Sequence, residues 1–161
     1  MRVLVSAASK HGATEEIGAE IARSLSDEGF SVEVQAPAEV SSVDDFGAVV
    51  LGSAVYAGHW LGPAKDMAER LSGPLRARAV WLFSSGPVGD PPEPADDPVD
   101  IAKLMATTGA RGHRVFPGRI AREGLSLPER MVVKALRVPD GDFRDWDAVR
   151  SWAAGIAAEL R

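Results

Sequence analysis

Apolar residues along this chain recur with two periods. Residues 2–8 form a short Val/Leu-rich run, the pattern of a strand covered on both faces. A small polar turn, Ser9-Lys10-His11-Gly12-Ala13-Thr14, follows it. Ile17, Ile21, Ala22 and Leu25 then recur at helical spacing, with Gly29 at the expected stop. Residues 31–35 alternate apolar and polar, which predicts an edge strand. Residues 47–52 predict a second buried strand, and Ala64, Met67, Ala68 and Leu71 a helix ended by Gly73-Pro74. Residues 78–84, with Val80-Trp81-Leu82-Phe83, predict a third buried strand. Prolines 87, 91, 92, 94 and 98 make residues 86–98 a loop through which no helix can run. A short helix is expected over 99–108 and a last strand over 113–120. Trp146, Val149, Ala153, Ile156 and Leu160 mark a C-terminal helix that Asp145 can cap.

Short strands alternating with helices predict an α/β domain, a parallel sheet with helices on both faces. Right-handed crossovers and five strands favour the order 2-1-3-4-5. The 161 residues fit one domain, 1–161, interrupted only by an insert at about 122–144. There is no cysteine, so disulfides, thiolate catalysis, Cys-based zinc sites and iron–sulfur clusters are excluded. Redox chemistry would need a bound organic cofactor or a non-thiol metal site. A net charge of −5 argues against nucleic acid as a partner. No apolar run approaches the ~18 residues of a membrane span, and residues 2–5 are too short for a signal segment. The expected location is cytoplasmic.

In an open parallel sheet, ligands bind beyond the carboxyl ends of the strands, where strand order reverses. Three loops meet there. In the first, Ser9, Lys10, His11, Gly12, Ala13 and Thr14 place two hydroxyls and a glycine at a helix start, a pattern suited to an anion. A plain βα turn explains the same residues equally well, since the spacing is neither a Walker A nor a G-x-G-x-x-G pattern. The second, Ser53-Ala54-Val55-Tyr56-Ala57-Gly58-His59-Trp60, offers aromatics to a flat ring. For Trp60, packing on the following helix ranks ahead of ring contact. The third, Ser84-Ser85-Gly86-Pro87-Val88-Gly89-Asp90, offers a stiff polar backbone to a heteroaromatic edge, or is a surface turn.

Two chemistries on related folds are excluded. A receiver domain needs acidic residues at the ends of the first and central strands, where this chain has Ser6-Ala7 and Gly52-Ser53. An α/β-hydrolase needs G-x-S-x-G, which occurs nowhere. His11, His59 and His113 show no metal-ligand spacing, so no metal is expected.

The first loop, Ser9-x-x-Gly12-x-Thr14, resembles the FMN phosphate loop of flavodoxins, [ST]-x-[ST]-G-x-T, with His11 in place of the hydroxyl residue before the glycine. The wider match is closest to flavodoxin-like protoporphyrinogen oxidases of the menaquinone-dependent type. These share a second loop ending in Gly-His and an aromatic, as in Gly58-His59-Trp60, and an insert before the last helix. The resemblance covers nearly the whole chain. It implies a flavodoxin-like three-layer sandwich and FMN as cofactor. The FMN phosphate would lie at Ser9, Lys10, His11, Gly12, Ala13 and Thr14. The ring would lie between Ser53, Ala54, Val55, Tyr56, Ala57 and Gly58 and Ser84, Ser85, Gly86, Pro87, Val88 and Gly89. The third loop lacks the aromatic that flavodoxins usually place there, which leaves Tyr56 as the stacking residue. His59 becomes the candidate proton donor or acceptor at the ring edge, against a plainer role as a surface or helix-start residue.

The insert carries Leu127, Met131, Val132, Ala135 and Leu136 at helical spacing. Over 122–137, Arg122, Arg130, Lys134 and Arg137 against Glu123 and Glu129 give a net +2. That predicts at most weak contact with an anionic membrane surface; a helix covering the core or a dimer contact ranks ahead. The leading expectation is an FMN-dependent oxidoreductase acting on a porphyrinogen or quinone. A flavodoxin electron carrier serving a redox partner protein would instead show an acidic rim, for which Asp90, Glu93, Asp96 and Asp97 are candidates. A cofactor-free interaction module on the same scaffold is the third alternative.

Overall fold

Strand β1 (Arg2–Ala8) is buried from Val3 to Ala8, as its unbroken apolar run requires. It pairs in parallel with β2 (Ser31–Val34) on one side and β3 (Ala48–Tyr56) on the other. Beyond β3 the sheet continues in parallel through β5 (Ala79–Ser85) and β6 (Gly112–Phe116). A two-residue strand, β4 (His59–Trp60), folds back antiparallel on the end of β3. The sheet order is β2-β1-β3-β5-β6; with β4 left uncounted, this is the expected 2-1-3-4-5. The computed structural model describes residues 1–10, 12–56, 58–86, 100–117, 119–120, 141–142 and 144–161.

Alternation along each central strand divides the core in two. Val3, Val5, Ala7, Val50, Trp81 and Phe83 face helices α1 (Ala13–Asp27) and α5 (Trp146–Leu160), where Ile17, Ile21, Leu25, Val149, Ala153 and Ile156 meet them. Leu4, Ala8, Val49, Leu51, Val80 and Leu82 face α2 (Gly62–Arg70), α3 (Ser72–Arg76) and α4 (Ile101–Thr108), through Ala64, Met67, Leu75 and Leu104. The result is the three-layer α/β sandwich of flavodoxins. Phe83, Phe116 and Trp152 form a cluster with ring centres 5.6 to 6.2 Å apart. Asp145 caps α5 as expected, its Oδ1 accepting from the Ala148 N–H at 3.0 Å.

Four expectations are corrected. Gly73-Pro74 does not end the helix after Leu71; it lies inside α3, where proline is tolerated because first-turn amides have no helical acceptor. The last strand stops at Phe116, before Pro117, instead of running to Ile120. Residues Arg119–Ile120 form β7, paired antiparallel with β8 (Gly141–Asp142) in a separate ladder. Strands β3 and β5 also run further than their apolar runs, because Ser53 pairs with Ala8 and Ser84 while Ala54 pairs with Ser85. Ser53–Tyr56 and Ser85 are therefore strand ends, not loop, and Ser84 lies in β5 as its run predicts. The insert's helical stripe over 127–136 and the acidic residues at 90, 93, 96 and 97 lie outside the described residues.

Candidate functional site

The crevice lies where β1, β3 and β5 end side by side. The turns beyond them pass through Gly12, Gly58 and Gly86, at φ of 85°, 82° and 63°. At these angles a side chain's Cβ crowds the residue's own flanking backbone, so glycine is the residue that suits them.

At the first turn, the Gly12 N–H donates to Ser9 Oγ at 2.8 Å. A hydroxyl that accepts still has its own proton to donate. Gly12 is the N-cap of α1, and among the described residues no side chain caps that helix. The first intrahelical bond there runs from the Glu16 N–H to the Gly12 carbonyl, so Ala13, Thr14 and Glu15 have no helical acceptor for their amides. A Cβ at Gly12 would meet nothing within 4 Å, so the turn has open space beside it. Amides, dipole and space together suit an anion. Glu15 and Glu16 in the same turn oppose one, but Arg144 pairs with Glu16 and offsets part of that charge. Thr14 is buried within the helix.

The second turn is a hairpin. Val55 pairs with Trp60 and Tyr56 with His59. Tyr56 is half-buried, and the Lys10 ammonium lies 4.3 Å from its ring centre, joining the first and second turns. Trp60 is buried, as the packing alternative requires, and its Nε1–H donates to Ser84 Oγ at 2.7 Å. Ser84 Oγ also lies 2.7 Å from His113 Nε2. Ser53 Oγ accepts from the Leu61 N–H at 2.9 Å and donates to the Ala54 carbonyl at 2.8 Å. Ser53, Ser84 and Ser85 are buried, and the first two use their hydroxyls to fasten the hairpin. Any contribution from residues 53–58 and 84–86 to a ligand would fall chiefly to the backbone and Tyr56. At the third turn the Gly86 N–H donates to the Phe116 carbonyl at 2.9 Å. His11, Ala57, Pro87, Val88 and Gly89 lie outside the described residues.

His59 is half exposed, with Nδ1 3.2 and 3.3 Å from the two carboxylate oxygens of Asp100. An ionised carboxylate only accepts, so Nδ1 carries the proton of this contact. Asp100 also accepts from the Trp60 N–H at 3.1 Å and lies 3.7 Å from Lys65 Nζ. Burial works against the Asp100 charge, but the Trp60 amide, His59 and Lys65 outweigh it and hold the carboxyl below its ordinary range. Asp100 has no signal in the sequence: an Asp before an apolar-periodic stretch reads as a helix cap, and nothing links it to a partner 40 residues away. Among the described residues, no cluster of three His, Asp or Glu side chains could hold a metal ion, and no helix is long and apolar enough to cross a membrane.

Comparison with known proteins agrees with this architecture. No curated protein sequence matches the chain. Among solved structures it is similar to a flavodoxin from Streptococcus pneumonia TIGR4, with 19% identity, a TM-score of 0.66 and 99% of each chain covered. A flavodoxin 1 from Bacillus cereus gives 15% identity, a TM-score of 0.67 and 100% of each chain. The rubredoxin oxygen:oxidoreductase of Desulfovibrio gigas gives 17% identity and a TM-score of 0.67 over 99% of this chain; this chain spans only 36% of that protein. At such identities these likenesses speak for the fold alone. The sequence profile of a family described as a flavodoxin domain matches residues 4–147, and with nearly the whole chain inside that match, the protein belongs to the flavodoxin-domain family.

Proposed function

We propose that the chain binds FMN across the carboxyl ends of β1, β3 and β5 and acts as a redox protein. The observation that carries this reading is the start of α1, uncapped by any described side chain and turned through a left-handed Gly12 beside open space. An FMN phosphate fits there. Ser9, Lys10, His11, Gly12, Ala13 and Thr14 would surround it with amides, hydroxyls and one ammonium. Ser53, Ala54, Val55, Tyr56, Ala57 and Gly58 would border one side of the ring, and Ser84, Ser85, Gly86, Pro87, Val88 and Gly89 the other. Bound there, FMN would supply reversible one- and two-electron transfer, while the protein supplies position and field. Tyr56 would pack on the ring, backbone amides of 54–58 and 85–89 would meet its polar edge, and His59 would hold or release a proton beside it.

Electrons would pass to or from a redox partner protein, the role for which the full-length likeness to proteins named flavodoxins speaks. The resemblance to menaquinone-dependent protoporphyrinogen oxidases extends the proposal to a quinone or a porphyrinogen as the reacting partner. It rests on Gly58-His59-Trp60 and on the insert before α5. A cytoplasmic location fits either role.

Titration of the purified protein with FMN, followed by visible absorbance, tests the reading. Saturable binding is expected, and Thr14→Val or Gly12→Ala should weaken it at least tenfold, about 1.4 kcal/mol. A protein that ignores FMN would refute the redox reading and leave the interaction module. Unchanged affinity in both variants would place the phosphate elsewhere. Turnover of a porphyrinogen or quinone by the loaded protein would separate oxidase from carrier.

A further inference from the structure

Asp100 occupies the N-cap position of α4 yet makes no side-chain bond to its own helix. An Asp at that position ordinarily accepts from the second or third helical amide. Here the carboxylate reaches across to the Tyr56–Trp60 hairpin, taking the Trp60 N–H at 3.1 Å and the His59 ring at 3.2 Å. We propose that Asp100 is a positioning residue for the flavin ring: it clamps the hairpin that carries Tyr56 against the start of α4. The proposal rests on the FMN reading above.

The hairpin needs such a clamp. Its ladder is two residues long on the β4 side, far below what holds a hairpin by itself. Among the described residues, three side chains hydrogen-bond to its second arm or to the residue after it. Ser53, on the hairpin's own strand β3, takes the Leu61 N–H, and Ser84, on β5, takes the Trp60 indole. Asp100 alone of the three comes from a different connection, the one that follows β5. It therefore ties the second turn of the site to the segment that follows the third. Its side chain is 20% exposed, with Lys65 3.7 Å away on α2. A hydrogen bond to a charged acceptor in such a setting is worth more than a neutral one. With the clamp released, the Trp60 amide and the His59 ring lose their carboxylate partner, and the hairpin that carries Tyr56 is held less firmly.

Wild type, Asp100→Ala, Asp100→Asn and His59→Gln are titrated with FMN and with riboflavin, which lacks the phosphate. Flavin fluorescence and visible circular dichroism are the readouts, and urea midpoints report folding. Asp100→Ala should weaken both ligands by the same factor, five- to tenfold, and alter the dichroism of the bound ring. Asp100→Asn keeps an acceptor for the Trp60 amide and should fall between Asp100→Ala and wild type. His59→Gln, which leaves that amide bond in place, should do the same. If Asp100→Ala does not fold, Asp100→Asn and His59→Gln carry the comparison. Wild-type affinity and dichroism in the folded variants would overturn the clamp while leaving the FMN reading intact. A loss confined to FMN would also overturn it, since that would place Asp100 at the phosphate. A wild-type protein that binds neither ligand would refute the FMN reading, and the clamp's role with it.

Discussion

Replacing Gly52 with alanine should damage this fold more than any other single methyl addition to the sheet. A Cβ on Gly52 would lie 2.2 Å from Cε1 and Cζ of Phe83 and 2.5 Å from Cε2. Relaxed carbon contacts lie at about 3.5–4.0 Å, so the ring or the strand must give by more than an ångström. The ring has nowhere to go. Phe83 is fully buried, with Phe116 and Trp152 at ring-centre distances of 6.2 and 6.1 Å. Over it lies Gly18 of α1, whose own added Cβ would come within 3.9 Å of the same ring. Strand β3 is equally confined, paired in register with β1 and β5. Added methylenes in tight cores cost about 1–3 kcal/mol, and this site belongs at the upper end. With a urea slope of about 2 kcal/mol per molar for a domain of this size, the midpoint should fall by roughly 1.5 M. The double variant Gly52→Ala/Phe83→Leu should cost at least ~1 kcal/mol less than the sum of its parts, because the smaller side chain clears the contact. A midpoint drop under about 0.3 M, or strict additivity, would refute the packing argument.

Asp145→Ala removes the only side-chain cap seen at the start of α5 among the described residues and should cost about 1 kcal/mol in urea unfolding. Ser6 is fully buried and its hydroxyl has no partner among the described residues. Ser6→Ala should therefore be neutral or raise stability by up to ~1 kcal/mol, and a loss would mean that the hydroxyl has a partner after all. Asp100 has a folded pKa below its unfolded value of 3.8. Its contribution is complete above that value and is lost as pH falls through the folded pKa, so Asp100→Asn should flatten stability against pH below about pH 4 and nowhere above.

The apolar pattern was enough to place β1, β3 and β5 and the faces of α1, α2 and α5, because burial on both sides forces unbroken Val/Leu runs and burial on one side forces helical spacing; the exposed edge strand β2 showed as alternation instead. It failed where pairing rather than side chains decides the structure. Ser53 and Ser85 look like loop residues, yet each sits in a ladder whose neighbouring strands supply the hydrogen bonds. Gly73-Pro74 looks like a stop, yet it begins a helical turn. The site was legible in part for the same reason. Small residues and hydroxyls at 9–14, 53–58 and 84–86 announce turns that meet at the crevice, since that meeting follows from strand order. The links between turns were not legible. Lys10 over Tyr56, Ser84 under Trp60 and Asp100 beside His59 each join residues at least 24 positions apart, and a single sequence carries no signal for such pairs.

Those links explain why the polar residues begin where they do. Across the sheet, Ser6 stands in register with Leu51, Leu82 and His113, and Ala8 with Ser53, Ser84 and Val115. Below these rows, on β1, β3 and β5, Leu4, Val49 and Val80 are aliphatic and belong to the core packed on α2 and α3. Above them the chain must leave the sheet in short turns, and every turn has backbone groups that the ladder no longer satisfies. A hydroxyl near the end of a strand can accept from those amides without adding a charge to the crevice, as Ser53 does for Leu61. A carboxylate in the same place would put negative charge beside the uncapped start of α1. Among the described residues, the carboxylate that touches the hairpin, Asp100, comes from beyond β5, beside the His59 ring and Lys65, whose ammonium offsets its charge. Placement of charge, more than hydrophobic pattern, thus separates the part of the sheet that holds the fold together from the crevice where the proposed ligand would bind.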